Sequence, residues 1–319
     1  MAEAEGTDPR QASVALRGHG AALAMFRQAL AGGRLPHAWL ITGPPGIGKA
    51  TFAFFLARVL LGGEEAQSPA GRRISAATHA DLLVVERGFD EKRQRYRGEI
   101  VADDVRPVNA FLHRTAAEGG WRVVIVDGAE WMNRSAANAI LKILEEPPPA
   151  TVLLLTCAMP GRLLPTIRSR CRRLELNPLP PSDLMALLHR SAPDASSAEL
   201  ERVADAAQGA PGRALSLLAD RGGEIAGCVG AVFDGVSALR GYEIAETTLR
   251  KDYGFGLFFT LLSDRLQTAA RAAALEGDAR ANTLAQAWEA IGQLHTQAER
   301  FNLDKQEALL EAMTIASQA

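Results

Sequence analysis

Residues 38–50 read AWLITGPPGIGKA, and this stretch decides the fold. The apolar run at 38–42 predicts a buried strand, and the run at 49–61 predicts a long apolar helix. The loop between them matches the pattern GxxxxGK, with Gly43, Gly46 and Gly48. In such a unit the backbone N–H groups and the helix N-terminus cradle phosphate, and Lys49 reaches its terminal oxygens. The alternative is a tight strand-to-helix turn that meets no ligand.

Two groups that a hydrolase of this kind uses are missing. The loop ends in Ala50, where an active loop has a Ser or Thr hydroxyl for Mg²⁺, and Thr51 lies about 100° further around the helix. A later apolar strand ends in Asp127, which either helps to hold the ion or caps the strand end. Gly128 follows in place of a glutamate that would polarise water, and Glu130 comes two positions later. We therefore expect ATP binding without efficient hydrolysis, and leave Mg²⁺ binding open.

The composition is that of a folded globular protein. The chain has 319 residues, of which 47% are hydrophobic and 23% charged, and its length predicts about two domains or more. The 35 Lys and Arg residues against 37 Asp and Glu residues give a net charge of −2. Such a chain has no global positive field that would attract nucleic acid. Any contact with DNA is therefore expected to be local or shared with partner proteins.

The cysteine content argues against both disulfides and zinc. Three cysteines without a CxxC pair cannot supply a four-cysteine zinc site. We expect Cys157, Cys171 and Cys228 to be reduced thiols. The N-terminal sequence MAEAEGTDPRQ lacks the apolar core of a signal peptide, and no run of about 18 apolar residues occurs. We expect a cytoplasmic protein with no zinc site and no membrane partner.

Strands and helices alternate along the first part of the chain, which predicts an α/β domain with a parallel sheet at 1–176. Further strands are predicted at 81–86, 121–127 and 151–156, and further helices at about 14–31, 103–117 and 133–146. The segment 62–80 is rich in Gly, Ser, Ala and Glu. It is expected to be a surface insertion without a core of its own.

The composition changes after Asn177, where three prolines introduce a segment that is helical to the end. A small helical domain is predicted at 177–220, from helix starts near Ser182, Ser197 and Gly209. An all-α domain is predicted at 221–319, with helices at 253–275, 282–300 and 304–316.

An arginine cluster follows the strand predicted at 151–156. The sequence PTIRSRCRR has four arginines within six positions, at a point where loops at the end of a sheet gather around a ligand crevice. For Arg168, Arg172 and Arg173 a solvated or ion-paired surface is as good an interpretation as a functional one. A functional role is favoured for Arg170, which lies in the tripeptide Ser-Arg-Cys.

Four stretches together resemble a known family. They are GRLPHAWLITGPPGIGK, NRSAANAILKILEEPP, the Ser169-Arg170-Cys171 tripeptide and GAPGRAL. As a set they are similar to the subunits of bacterial DNA polymerase III clamp loaders, and most similar to the delta-prime family. The resemblance extends from about residue 18 to residue 218.

The resemblance implies a RecA-like AAA+ module, a small helical lid and a helical collar that joins a five-subunit ring. It further implies that the ring places a sliding clamp on primed DNA, and that the partners are the other clamp-loader subunits. By this resemblance Arg170 acts in trans, on the γ-phosphate held by a neighbouring subunit. The chain would then be part of a DNA polymerase holoenzyme without being a polymerase.

The sequence also departs from the family. Family members often have a four-cysteine zinc module after the first helix, whereas residues 62–80 contain no cysteine, so no zinc is expected. Motor subunits have a nucleotide-sensing arginine on the lid helix, where this chain has Gly212 and, displaced by one position, Arg213. Together with these departures, the resemblance implies a stator that donates Arg170. The rival hypothesis is an active AAA+ ATPase in which Thr51 and Glu130 replace the missing groups.

Overall fold

The structure is a computed structural model that describes residues 16–90, 95–118, 120–220, 223–251, 253–301 and 303–319. These residues form two compact units, which divide between positions 214 and 215. The N-terminal sequence MAEAEGTDPRQ lies outside the described residues. The division into 1–176, 177–220 and 221–319 stays a prediction.

A five-stranded parallel sheet is the centre of the first unit. Its strand order is β2-β5-β6-β1-β7, and a separate two-stranded antiparallel hairpin consists of β3 and β4. The strands are β1 (Ala38–Thr42), β2 (Leu82–Val85), β3 (Phe89–Asp90), β4 (Arg95–Tyr96), β5 (Arg122–Val126), β6 (Thr151–Cys157) and β7 (Arg172–Glu175). The strand predictions at 38–42, 81–86, 121–127 and 151–156 are confirmed to within one residue at each end.

Helices flank the sheet and continue beyond it in the first unit. They are α1 (Gly20–Ala31), α2 (Lys49–Leu61), α3 (Pro69–Ser75), α4 (Ala102–Leu112), α5 (Arg134–Glu145), α6 (Pro165–Arg170), α7 (Pro181–Ser191), α8 (Ser197–Ala207) and α9 (Pro211–Ala219). The unit boundary falls inside α9.

Both faces of the sheet are buried, as the apolar strands predict. Along β5 the side chains alternate between two hydrophobic clusters. Val124 and Val126 pack into the cluster that contains α4 and α5, while Val123 and Ile125 pack into the cluster that contains α1 and α2. This two-sided burial fixes the register of the sheet and so fixes which loops meet at its carboxyl edge.

The segment 62–80 differs from the prediction. It contains α3, whose Ile74 is fully buried in the same cluster as α2. Arg58 of α2 is also fully buried, and its guanidinium donates hydrogen bonds to the carbonyl oxygens of Gly63 and Gly71 and to the hydroxyl of Ser75. The segment has no separate core, as expected, but it is not only a surface insertion, because Arg58 and Ile74 attach it to the domain core.

Two further differences concern the sequence around the sheet. The helix predicted to end near residue 117 ends at Leu112, where the buried guanidinium of Arg122 donates hydrogen bonds to the carbonyl oxygens of Leu112 and Arg114. The arginine cluster is not a loop. It comprises the helix α6 and the edge strand β7, which pairs with β1.

The second unit is all-helical and is described by itself. Its helices are α10 (Glu224–Phe233), α11 (Ala238–Leu249), α12 (Gly254–Glu276), α13 (Ala281–Phe301) and α14 (Lys305–Ser317), after the end of α9. The predictions for the last three are confirmed to within about one residue, whereas α10 and α11 were not predicted. In the part of the chain that the structure describes, none of the helices has the length and apolarity needed to span a bilayer.

A buried carboxylate begins this second unit. Asp220 accepts hydrogen bonds from the backbone N–H groups of Ile225 and Ala226 at the start of α10. Lys251 forms ion pairs with both Asp220, at 3.2 Å, and Glu224, at 2.7 Å. Buried charge is thus paired where the helical unit starts.

Candidate functional site

The glycine loop lies between β1 and α2, as predicted. The backbone is left-handed at Gly46 (φ 72°) and at Gly48 (φ 95°), conformations in which a side chain is strained. Ile47 between them is fully buried and attaches the loop to the core. The loop therefore turns its backbone at the N-terminus of α2, where N–H groups are free of intrahelical partners.

Lys49 is turned back onto this loop. Its Nζ donates hydrogen bonds to the carbonyl oxygens of Gly43, at 3.1 Å, and Pro44, at 2.9 Å. Burial lowers the pKa of Lys49, and the negative charges of Glu130 and Asp127 oppose that shift. The ammonium group thus makes hydrogen bonds within its own loop while facing two acidic side chains.

The two residues after Lys49 lie in the first turn of α2. Ala50 has no side-chain oxygen with which to ligate a metal ion, and Thr51 is partly buried one position further around the helix. Among the described residues, no group of three His, Cys, Asp or Glu side chains could hold a metal ion. The loop therefore has the backbone shape for phosphate but lacks the hydroxyl that orients Mg²⁺ in hydrolysing relatives of this loop.

Asp127 lies at the carboxyl end of β5 and is bonded to the neighbouring strand. The Thr156 hydroxyl donates a hydrogen bond to Asp127 Oδ1 at 2.5 Å, and the same oxygen of Thr156 accepts one from the Gly128 N–H at 2.8 Å. Sequence reasoning missed Thr156. The only pattern that could have found it is a polar residue near the end of the apolar run TVLLLT.

Trp131 occupies the space beside Gly128. A Cβ atom added to Gly128 would lie 2.6 Å from Trp131 Cδ1, and the backbone there is left-handed, with φ 77°. Glu130 is bonded elsewhere, because its Oε1 accepts a hydrogen bond from the Ala158 N–H at 2.8 Å. Burial, and next the charge of Glu130, raises the pKa of Cys157 to about 12, so its thiol stays protonated.

The small helical segment contacts the loop through two glycines. The Gly212 N–H donates a hydrogen bond of 2.8 Å to the Gly46 carbonyl oxygen. A Cβ atom on Gly212 would lie 3.1 Å from Gly46 Cα, and one on Gly46 would lie 3.2 Å from the Arg213 nitrogen. On the other side, His19 Nε2 lies 3.1 Å from the Ile47 carbonyl oxygen, and burial lowers the pKa of His19.

The arginine cluster lies where α6 ends and β7 begins, beside the start of β1, with Arg172 paired in register with Trp39. Arg170 ends α6 with 37% of its side chain exposed, and its Nη2 lies 2.9 Å from Glu145 Oε1. Arg173 on β7 donates a hydrogen bond to the Thr42 hydroxyl and pairs with Glu175. Arg168 is exposed on α6, and the guanidinium of Arg172 lies 5.7 Å from the ring centroid of Trp39.

Three features define the class of protein. They are the parallel sheet with a phosphate-type loop after β1, the acid at the end of β5, and the helices that follow the sheet. The chain is a RecA-like AAA+ module followed by a helical domain. The sequence model of the family described as DNA polymerase III, delta subunit, matches residues 18–180.

Individual relatives agree with that match. The chain is 38% identical over 231 residues to the DNA polymerase III subunit delta' of Pseudomonas aeruginosa, which covers 70% of this chain and 67% of the relative. It is 36% identical over 197 residues to the same subunit of Escherichia coli, covering 58% and 55%. A solved gamma subunit-related protein of Thermotoga maritima is similar with a TM-score of 0.46 at 19% identity, covering 89% and 94%. On the sequence matches, the chain belongs to the delta-prime family of DNA polymerase III clamp-loader subunits.

Proposed function

We propose that this chain is the stator of a clamp-loader ring, which places a sliding clamp on primed DNA. Membership of the delta-prime family supports the assignment to this complex, and the near-neutral charge supports DNA binding by the assembled ring rather than by this chain alone. The other subunits of the ring are its partners, and the cytoplasm is its proposed location.

The observation that carries the stator proposal is the carboxyl end of β5. Gly128 stands where a hydrolase needs a water-polarising carboxylate, and the ring of Trp131 fills the adjoining space. Glu130 does not take over this position directly, because its Oε1 accepts a hydrogen bond from the Ala158 N–H, which restrains the side chain two residues further on. Loss of a group that aligns the attacking water typically lowers the hydrolytic rate by orders of magnitude.

The loop itself still fits the phosphates of a nucleotide. The backbone N–H groups after Gly46 and Gly48 and the ammonium of Lys49 would hold them, once Lys49 releases the carbonyl oxygens of Gly43 and Pro44. A bound nucleotide would supply negative charge that replaces those two contacts. Mg²⁺ fits less well, because Ala50 has no hydroxyl and Asp127 already accepts a hydrogen bond from Thr156.

Purified chain given MgATP tests this part of the proposal. We expect retention of ATP in equilibrium dialysis and no turnover above the background of a Lys49→Ala variant. Turnover on the scale of seconds that disappears in Lys49→Ala would favour the rival hypothesis of an active AAA+ ATPase. In that case Thr51 and Glu130 would be the first residues to substitute.

Arg170 supplies the second part of the proposed function, a trans contact with the γ-phosphate held by a neighbouring subunit. The observation that supports this trans contact is that the guanidinium of Arg170 is exposed while the backbone around it is packed against the core. Ile167, one turn earlier, is fully buried, and Cys171, the next residue, packs against the same hydrophobic cluster. An arginine that neutralises transition-state charge in this way contributes about 10³ to 10⁵ to the rate of phosphoryl transfer.

The assembled clamp loader tests this role. Arg170→Ala is expected to leave ring assembly intact and to lower DNA- and clamp-stimulated ATP hydrolysis by about tenfold or more at the neighbouring site. Arg168→Ala is the matched control, because it removes another exposed arginine from the same helix. Unchanged hydrolysis in the Arg170→Ala complex would reject the trans role.

A further inference from the structure

We propose that Glu145 is the positioning residue for Arg170, and that it holds the guanidinium ready for the phosphate of a neighbouring subunit. This inference rests on the proposed trans role of Arg170. Glu145 touches neither nucleotide nor reacting atoms in this scheme, and acts only through the arginine.

The guanidinium is held by two elements at once. Its Nη2 lies 2.9 Å from Glu145 Oε1 at the end of α5, and its Nη1 donates a hydrogen bond of 3.1 Å to the Thr166 carbonyl oxygen within α6. One anchor comes from its own helix and one from the helix before it. Two anchors at different nitrogens fix the plane of the guanidinium as well as its position.

Both residues of the ion pair lie on well-packed backbone. Glu145 is the last residue of α5, directly after the buried pair Ile143 and Leu144, and the chain then runs into three prolines that prevent the helix from continuing. Arg170 is attached to the same hydrophobic cluster through Ile167. The ion pair thus connects two rigid helix ends that share one core.

The location of Glu145 is unfavourable for its own helix. A carboxylate at the C-terminal end meets the negative end of the helix dipole, where Lys, Arg or His would be stabilising. Local helix stability therefore does not account for an acid at this position. The ion pair with Arg170 gives it a role, which is to restrain the arginine before a phosphate arrives.

The pair remains open to an anion. The side chains of Arg170 and Glu145 are 37% and 45% exposed, so one side of the guanidinium faces solvent. A guanidinium has five N–H donors, and a second anion can be bound beside the first. An unrestrained arginine would lose its rotamer freedom on binding phosphate, whereas Glu145 has already restricted it.

A double-mutant cycle in the assembled clamp loader tests the inference. Glu145→Ala is expected to lower kcat for DNA-stimulated ATP hydrolysis by about two- to fivefold with KM for ATP unchanged. Glu145→Gln retains an oxygen acceptor at the same place and should recover most of the rate. The matched control is Glu146→Ala, which removes the adjacent exposed acid, since the described ion pairs of Arg170 involve Glu145 and not Glu146.

Two readouts separate positioning from a structural role. In the Arg170→Ala background, Glu145→Ala should cause no further loss, because the residue through which it acts is gone. The thermal unfolding temperature of the isolated chain should stay equal or rise with Glu145→Ala, because an unfavourable charge leaves the helix end. If Glu145→Ala does not fold, Glu145→Lys takes its place and should lower kcat further by repelling the guanidinium.

The outcomes are distinct. If Arg170→Ala lowers hydrolysis but Glu145→Ala does not, the inference is overturned and the proposed function stands. The same holds if Glu145→Ala lowers kcat equally with and without Arg170. If Arg170→Ala itself has no effect, the proposed function fails.

Discussion

The first unit presents two cations in opposite ways. Lys49 is partly buried and donates its hydrogen bonds to the carbonyl oxygens of its own loop, whereas Arg170 stands more than a third exposed at the end of a short helix. Lys49 faces Asp127 and Glu130 across the end of the sheet. Among the described residues, Arg170 has one acidic partner, Glu145, and its side chain stays partly exposed.

In the proposed function this difference matches two tasks, since Lys49 would bind a phosphate on this chain and Arg170 would contact a phosphate bound by a neighbouring subunit. A ligand at the loop has to displace contacts that Lys49 already makes, so binding there is opposed by the loop itself. A phosphate that meets Arg170 finds a positioned cation whose restraint is already in place. The same fold thus has a lysine turned onto its own loop after the end of β1, and an exposed arginine just before the start of the neighbouring strand β7.

Of the substitutions considered for the glycine loop and its surroundings, Gly46→Ala should have the largest effect. The new Cβ atom would lie 3.2 Å from the Arg213 nitrogen, on a backbone with φ 72°. We expect the free energy of unfolding to fall by about 2–4 kcal/mol and ATP retention in dialysis to be lost.

Gly33→Ala is its control, because Gly33 has φ 65° and no heavy atom within 4 Å of an added Cβ. Gly33→Ala introduces the same backbone strain without the contact. The difference in unfolding free energy between the two variants therefore measures the contact of residue 46 with the Arg213 backbone. Equal losses in denaturant unfolding would mean that the contact between the loop and Arg213 costs nothing to disturb.

Gly128→Ala should have a smaller effect at the acid end of the site. The overlap with Trp131 and the left-handed backbone should lower the free energy of unfolding by about 1–3 kcal/mol. Gly62→Ala is the control, because Gly62 has φ 68° and no heavy atom lies within 4 Å of an added Cβ. This variant therefore measures the backbone strain alone. In a Trp131→Ala background the loss should shrink by about 1 kcal/mol, and an unchanged loss would show that Trp131 does not block this position.

His19 should give the smallest effect, as a dependence on pH. Burial lowers its pKa below the usual 6.5, so below pH 6.5 the unfolded chain takes up a proton that the folded chain resists. The free energy of unfolding should therefore fall as the pH drops from about 6.5, by under about 1 kcal/mol since the ring is partly exposed.

Denaturant unfolding between pH 8 and pH 5 measures this slope. His19→Gln should make the slope shallower, with the remainder due to His79, whose pKa burial also lowers, while His189→Gln, on an exposed part of α7, should keep the wild-type slope. A wild-type slope in the His19→Gln variant would mean that another group is responsible for the acid sensitivity.

Much of the fold could be predicted because its elements are strongly patterned. The strand at 38–42 and the helix at 49–61 have the predicted bounds, since glycines stop the helix and the strand is apolar throughout. The edge strand β7 was missed because only Leu174 of its four residues is buried, and the three charged residues around it resemble a surface loop. The helices α10 and α11 were missed, the first within a run of small residues interrupted by glycine.

The candidate site was predicted only as far as residues adjacent in sequence. The loop around Lys49 and the acid Asp127 follow from local patterns, and their roles stay predictions. The contributions of Thr156, Trp131 and Glu145 depend on which strands and helices become neighbours. No spacing along the chain brings Gly212 to Gly46, or Glu145 to Arg170, before the sheet is folded.

The hydrogen bond from Gly212 to Gly46 also constrains how this chain can diverge. With 3.1 Å between Gly46 and a Cβ atom at 212, neither position tolerates a side chain unless the two backbones move apart. A descendant that acquired the sensing arginine at 212 would have to separate the helical segment from the loop. Any side chain introduced at 212 would therefore be felt directly at the glycine loop, through the hydrogen bond that joins the two backbones.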